Sequence, residues 1–257
     1  MSLRFVLILP LVLPAWALAD TTLTYSNENL PGGETLIQVK AGDVLMGDER
    51  AKMLYKGNAN ELVVIDHETK TYMVMDEETA RKLEQQIGQV QEQMNAMMQQ
   101  MQQQMQNMSE AERAQLQQML GNNMPMGAAS KPVETTVQQQ GTDTVAGVTC
   151  TKLMVLVNDK PSGDVCVATA GVLGIDTNDY NSMVSATDAV RSFVERVSGR
   201  HDNDAVTMNL RAMKGVPVRM RDLVDGDISV LASRSTADLD AQLFTVPAGY
   251  QKKDMIP

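Results

Sequence analysis

A series of short β-branched runs, separated by tight turn signals, occupies residues 21–75 and constrains the fold more than any other feature of the chain. The candidate strands are Thr21–Ser26, Thr35–Ala41, Asp43–Met46, Ala51–Lys56, Glu61–Asp66 and Thr71–Met75. Between them stand Pro31-Gly32-Gly33, Gly47-Asp48-Glu49-Arg50, Gly57-Asn58 and His67-Glu68-Thr69-Lys70. Such spacing predicts antiparallel hairpins in a meander.

The pattern changes abruptly at Asp76. This residue is a good helix N-cap, and Glu77 and Glu78 follow in the first turn, where the helix dipole favours negative charge. Apolar residues then recur at helical spacing: Leu83, Ile87, Val90, Met94, Met97 or Met98, Met101, Met105 and Met108. A helix over Glu77–Met108 would be roughly 48 Å long at 1.5 Å per residue, so it must bend, project, or pack on something beyond the sheet. A capping box at Ser109-Glu110-Ala111-Glu112 starts a second helix, with Leu116, Met119 and Leu120 on its apolar face and Gly121 as its stop. Residues 77–120 therefore read as a helical insertion.

Strand signals return at Val133–Gln139, Gly147–Val157 and Ser162–Thr169, the last two forming a hairpin across Asn158-Asp159-Lys160-Pro161. That hairpin brings Cys150 and Cys166 onto neighbouring strands, and their pairing requires an asymmetric loop or a bulge. An amphipathic helix spans about Asp179 to Ser198, and strands close the chain at Val206–Met213, Val216–Leu223 and Ile228–Ser235.

The first residues predict export. Arg4 precedes an apolar run of about 15 residues, which ends at Ala17-Leu18-Ala19 before Asp20, the pattern of a cleavable signal peptide. Spanning a membrane takes ~20 such residues. Residues 1–19 are thus expected to be removed, leaving residues 20–257 as one domain, and no cysteine follows the cut to carry a lipid. The expected location is a bacterial periplasm, as a soluble protein. In an oxidising compartment Cys150 and Cys166 read as a disulfide, with a stabilisation of about 3 kcal/mol in the chain-entropy model. The net charge of −10 becomes −11 when Arg4 leaves, which argues against nucleic acid and anionic headgroups as partners.

In layout the chain resembles the LolA/LolB-like group of periplasmic carriers, in particular an uncharacterised branch known as a domain of unknown function. Four stretches carry the resemblance. They are Val63-Val64-Ile65-Asp66 with Lys70–Met75; Val145–Leu153 answered by Asp164–Ala168; Gly215-Val216-Pro217-Val218; and Phe244-x-x-Pro247-x-Gly249-Tyr250. The resemblance implies an α+β fold: an incomplete antiparallel β-barrel, or half-barrel, with the Met/Gln-rich helical insertion and one further amphipathic helix. It also implies an apolar concave face that shelters a lipid or a lipoprotein acyl chain. No ligand-contacting motif of those carriers can be placed on this chain residue by residue.

The methionine helix admits several uses. Met94, Met97, Met98, Met101, Met105 and Met108 are soft thioether candidates for Cu(I). The same side chains suit an apolar ligand or absorb oxidants. Leu83, Ile87, Val90, Met94, Met97 and Met101 also follow heptad steps, so a packing or coiled-coil seam is favoured, within the chain or with a partner or second copy through residues 77–120. Enzyme signals are poor. His67 and His201 lack metal-ligand spacing, and no nucleophile elbow, P-loop or dinucleotide fingerprint occurs. Asp176-Thr177-Asn178-Asp179 begins like a calcium loop but lacks the required Gly and Glu, and His201-Asp202-Asn203-Asp204 reads as a solvated turn. The expectation is a non-enzymatic carrier of an apolar or acyl-bearing ligand, with copper handling or assembly as alternatives.

Overall fold

Three of the hairpins turn on residue pairs whose backbone is left-handed at both central positions. These are Ala41-Gly42, Ala146-Gly147 and Asn158-Asp159, with φ of 51° and 91°, 49° and 78°, and 48° and 63°. Such two-residue turns match the twist of the flanking strands and fix their register. The computed structural model describes residues 20–29, 32–106, 135–198 and 209–254. The first half is a meander of β1 (Thr21–Ser26), β2 (Glu34–Lys40), β3 (Asp43–Gly47), β4 (Ala51–Lys56), β5 (Glu61–Asp66) and β6 (Thr71–Met75), followed by α1 (Glu77–Gln106). The second half contains β7 (Thr135–Val145), β8 (Val148–Val157), β9 (Lys160–Ala168), α2 (Thr177–Ser198) and the single turn α3 (Leu210–Met213). It ends with β10 (Val216–Asp222), β11 (Ile228–Ser235), a 3-10 turn at Ala241–Phe244, and β12 (Gln251–Lys252).

All twelve strands join one sheet in the order β12-β6-β5-β4-β3-β2-β1-β11-β10-β9-β8-β7. The two halves meet where β1 pairs antiparallel with β11, Thr22 opposite Ser235 and Ser26 opposite Val230. One face of the sheet packs on α2. Leu23, Val39, Val44, Met46 and Leu62 from the meander share a core with Cys166, Val216, Val218 and Leu231 from the second half, and Met183, Val184 and Ala186 of α2 fill its centre. Strand alternation sends Leu45, Leu54, Val63 and Ile65 to the opposite face, where Phe244 covers them. That second layer explains the closing motif: Phe244 is its plug, and the Tyr250 hydroxyl hydrogen-bonds His67 Nδ1 at 2.7 Å. The chain then adds β12 parallel to β6.

The cysteines form the expected disulfide, with Cα atoms 5.5 Å apart. The anticipated irregularity is present as a register shift between Val155 and Leu156, which places Lys152 opposite Cys166.

The fold class needs correction. An α+β half-barrel carrying a long Met/Gln-rich helical insertion over 77–120 is not what forms. The described residues are mostly β, organised as one open twelve-stranded sheet whose outermost members are β12 and β7. Helix contributes α2, together with Ala80 of α1 and Leu210 and Met213 of α3, to the buried residues, and no helical insertion to residue 120 is shown, since α1 is described as far as Gln106 and residues 107–134 lie outside the described residues. The physical reason lies in what Met and Gln report: they favour helix locally but say nothing about layers. Among the described side chains of α1 only Ala80 is buried, Thr79 and Leu83 are half-buried, and those from Glu84 to Gln100 are exposed. No second helix among the described residues completes a coiled-coil seam along that exposed length. The strand expected at Val206–Met213 is also corrected: Asn209 caps α3 by accepting the Ala212 N–H at 2.9 Å, and 201–208 lie outside the described residues.

Candidate ligand groove

Asp76 places the site. Its carboxylate accepts the Thr79 N–H at 2.8 Å, starting α1 directly off the end of β6, and this bond holds its carboxyl below the usual range. The first turn of α1 therefore stands beside the ends of β4, β5 and β6, across from α2. Between them lies an open groove of about 540 Å³. Leu62 of β5, Met75 of β6, Ala80 of α1 and Phe193 of α2 supply apolar walls from four elements. Tyr55 lies at the β4 side and donates its hydroxyl to Asn60 Oδ1 at 3.2 Å, while burial pushes its phenol pKa up.

The polar end is built by α2 and α3. Asp188 accepts from Arg191 at 2.9 Å and from Arg211, whose Nη2 lies 2.7 Å away. Burial by itself would raise the Asp188 pKa; the hydrogen bonds from Arg191 and Arg211, with their charges, outweigh it and hold the carboxyl below its ordinary range. Arg211 remains largely exposed, so it faces solvent at the mouth while anchored from below. The lining is mixed, with Asn60, Asp76, Glu77, Ser185 and Ser192 among the apolar residues, so the groove offers an amphiphile apolar contacts beside polar ones. A second groove of about 590 Å³ on the other side of α1 is lined by Lys82, Lys252, Lys253 and glutamines, and Lys82 is already committed to Glu78 at 2.7 Å.

The residues singled out from sequence lie elsewhere. Cys150 and Cys166 are buried structural partners under α2. Met94 and Met97 are exposed on α1, at 59 % and 70 %. Met98, Met101 and Met105 belong to α1, with side chains outside the described residues, as is Met108 entirely. Asp176 serves as the cap of α2, accepting the Asn178 N–H at 2.7 Å. His67 supports Tyr250, and His201 lies outside the described residues. Among the described residues no three His, Cys, Asp or Glu side chains cluster as metal ligands, and no helix is long and apolar enough to cross a membrane. The groove itself was missed. Its legible traces were the i,i+3 and i,i+4 spacings of Asp188, Arg191 and Glu195, and the Asn209 cap that makes Arg211 helical.

The family described as Domain of unknown function (DUF4412) matches residues 80–250, which include α1 from Ala80 on, α2, α3 and the strands β7–β11. The chain belongs to the DUF4412 family. The match begins at Ala80, so three groove walls, Ala80, Phe193 and Arg211, lie inside the DUF4412 region, whereas Leu62 and Met75 come from the meander before it. It does not extend to kinship with LolA or LolB. No curated protein matches the chain. Among solved structures, an uncharacterized conserved protein from Thermus thermophilus is similar over 92% of this chain and 91% of that one, at 8% identity and a TM-score of 0.42.

Proposed function

We propose that the protein is an exported, non-enzymatic carrier that holds an amphiphile with an apolar or acyl tail in the groove between α1, α2 and β4–β6. The observation that carries this reading is the convergence of Leu62, Met75, Ala80 and Phe193 around about 540 Å³, a volume typical of small-molecule sites, with Arg211 at the rim. The signal-like residues 1–19 support delivery to the periplasm, where apolar cargo needs shelter from water. The sequence resemblance to periplasmic carriers points the same way, as an analogy.

Protein secreted with its own residues 1–19 is expected to begin at Asp20 by N-terminal sequencing. An organic extract of it, read by mass spectrometry, is expected to contain lipid. Ala189 of α2 also lines the groove, and a fluorescent fatty acid should bind and should lose at least tenfold in affinity when Ala189→Trp fills that wall, with thermal unfolding reporting that the variant is folded. A clean extract together with no uptake of the fluorescent fatty acid overturns the carrier reading.

A further inference from the structure

Among the described residues nothing covers the outer length of α1, which carries an apolar stripe. Ile87, Val90, Met94 and Met97 are exposed at 38 %, 57 %, 59 % and 70 %, and their steps of three, four and three put them on one face. Lone exposed apolar residues are ordinary, whereas a continuous row along a projecting helix marks a docking surface. The stripe has two further properties that name its occupant. From Gln85 to Gln106 the only charged residue is Glu92, in a chain of net charge −10. Glu92 lies two residues from both Val90 and Met94, about 200° round the helix from each, so it points away from the stripe. A second acidic copy therefore meets no opposing charge along this face. The row is also self-complementary when one helix is reversed about residue 92: 87 then faces 97 and 90 faces 94.

We infer that α1 pairs antiparallel with α1 of a second copy, in a two-fold contact centred on residue 92. The stacked layers are Ile87 on Met97, Val90 on Met94, and their symmetry mates, the isologous pattern that a two-fold axis requires. Reversal also sets the two acidic sheets at opposite ends of a helix roughly 45 Å long, well beyond the ~8 Å screening length at physiological salt. A parallel pair would bring them side by side. Methionine suits such a seam because its flexible thioether fills uneven gaps between facing residues.

The test uses the full processed chain in the presence of a metal chelator, so that methionine-bound metal cannot bridge copies. Sedimentation equilibrium over rising concentration is expected to show a dimer. The variant I87Q/V90Q/M94Q/M97Q, its fold checked by circular dichroism, is expected to be monomeric. Ile87→Cys and Met97→Cys proteins, treated with a short bis-maleimide, are expected to cross-link when mixed and not when treated separately. A native protein that stays monomeric at its highest soluble concentration overturns the proposal, as does a dimer that survives the four substitutions. Efficient self-linking of Ile87→Cys alone overturns the antiparallel arrangement.

Discussion

Asp188 joins two arginines from different elements, Arg191 one turn along α2 and Arg211 on α3, and so ties α3 to the groove wall. Its folded pKa is depressed below the ordinary carboxylate value. The unfolded chain binds a proton there more readily, so the stabilisation is present in full above the unfolded pKa and is lost as pH falls through the folded value. Because Arg211 is largely exposed, solvent screens the pair, and Asp188→Asn is expected to cost about 1 kcal/mol at neutral pH. That deficit should vanish in acid, where the native carboxyl is protonated too. Urea denaturation of both proteins in steps from pH 7 downward through the folded pKa measures it, and a deficit that never narrows contradicts the ion-pair account. Some residue-level roles were legible beforehand. Asp76 announces its cap because acceptor, dipole and acidic first turn coincide locally. The Asp188–Arg211 pair was hidden because its partners are 23 residues apart and α3 is too short to show a period.

At the scale of elements, turn chemistry was readable and supporting context was not. The strands of the meander stand within a residue of their expected bounds, because turn residues such as Gly33, Gly42, Gly47 and Asn60, which adopt left-handed backbone readily, punctuate them. The Val206–Met213 stretch misled because its apolar alternation suits a strand, while the decisive signal was a single Asn at 209 followed by Leu-Arg-Ala-Met. α1 shows the converse case: its helical period was plain, but the period could not say whether a partner lay against it. Its attachment to the body runs through Ala80 and Leu83, so its stability should be separable from that of the sheet. Gly88 lies in the exposed interior of α1, with open space where a Cβ would stand. Gly88→Ala should then favour helix locally by about 1 kcal/mol. The expected result is slower amide exchange across residues 84–97, with an unchanged midpoint for global unfolding. A shift of the global midpoint by several degrees would mean that α1 unfolds together with the core.

At the scale of the molecule, the sheet is assembled from two halves that meet on both of its faces. The meander and the second half share the β1–β11 ladder, the apolar core around α2, and the β12–β6 edge. Lys40 adds a clasp, binding Asp20 and Asp238 at 2.7 Å each. The order β1-β11 was the least legible feature of the fold, since hairpins reveal neighbours in sequence, whereas this pairing joins residues more than two hundred positions apart. The disulfide allows the joint to be tested. Cys150 and Cys166 close a loop inside the second half, yet both are buried in the core that also holds Leu23, Val39, Val44 and Leu62 of the meander. If the shared core makes the sheet one cooperative unit, removing the cross-link destabilises residues it never touches. The Cys150→Ala/Cys166→Ala protein is expected to lose about 3 kcal/mol. Hydrogen exchange should report that loss equally at β3–β5 and at β8–β10, because both open only in global unfolding. Faster exchange confined to β8–β10 would show that the halves unfold separately, and that the core around α2 does not couple the groove's two sides.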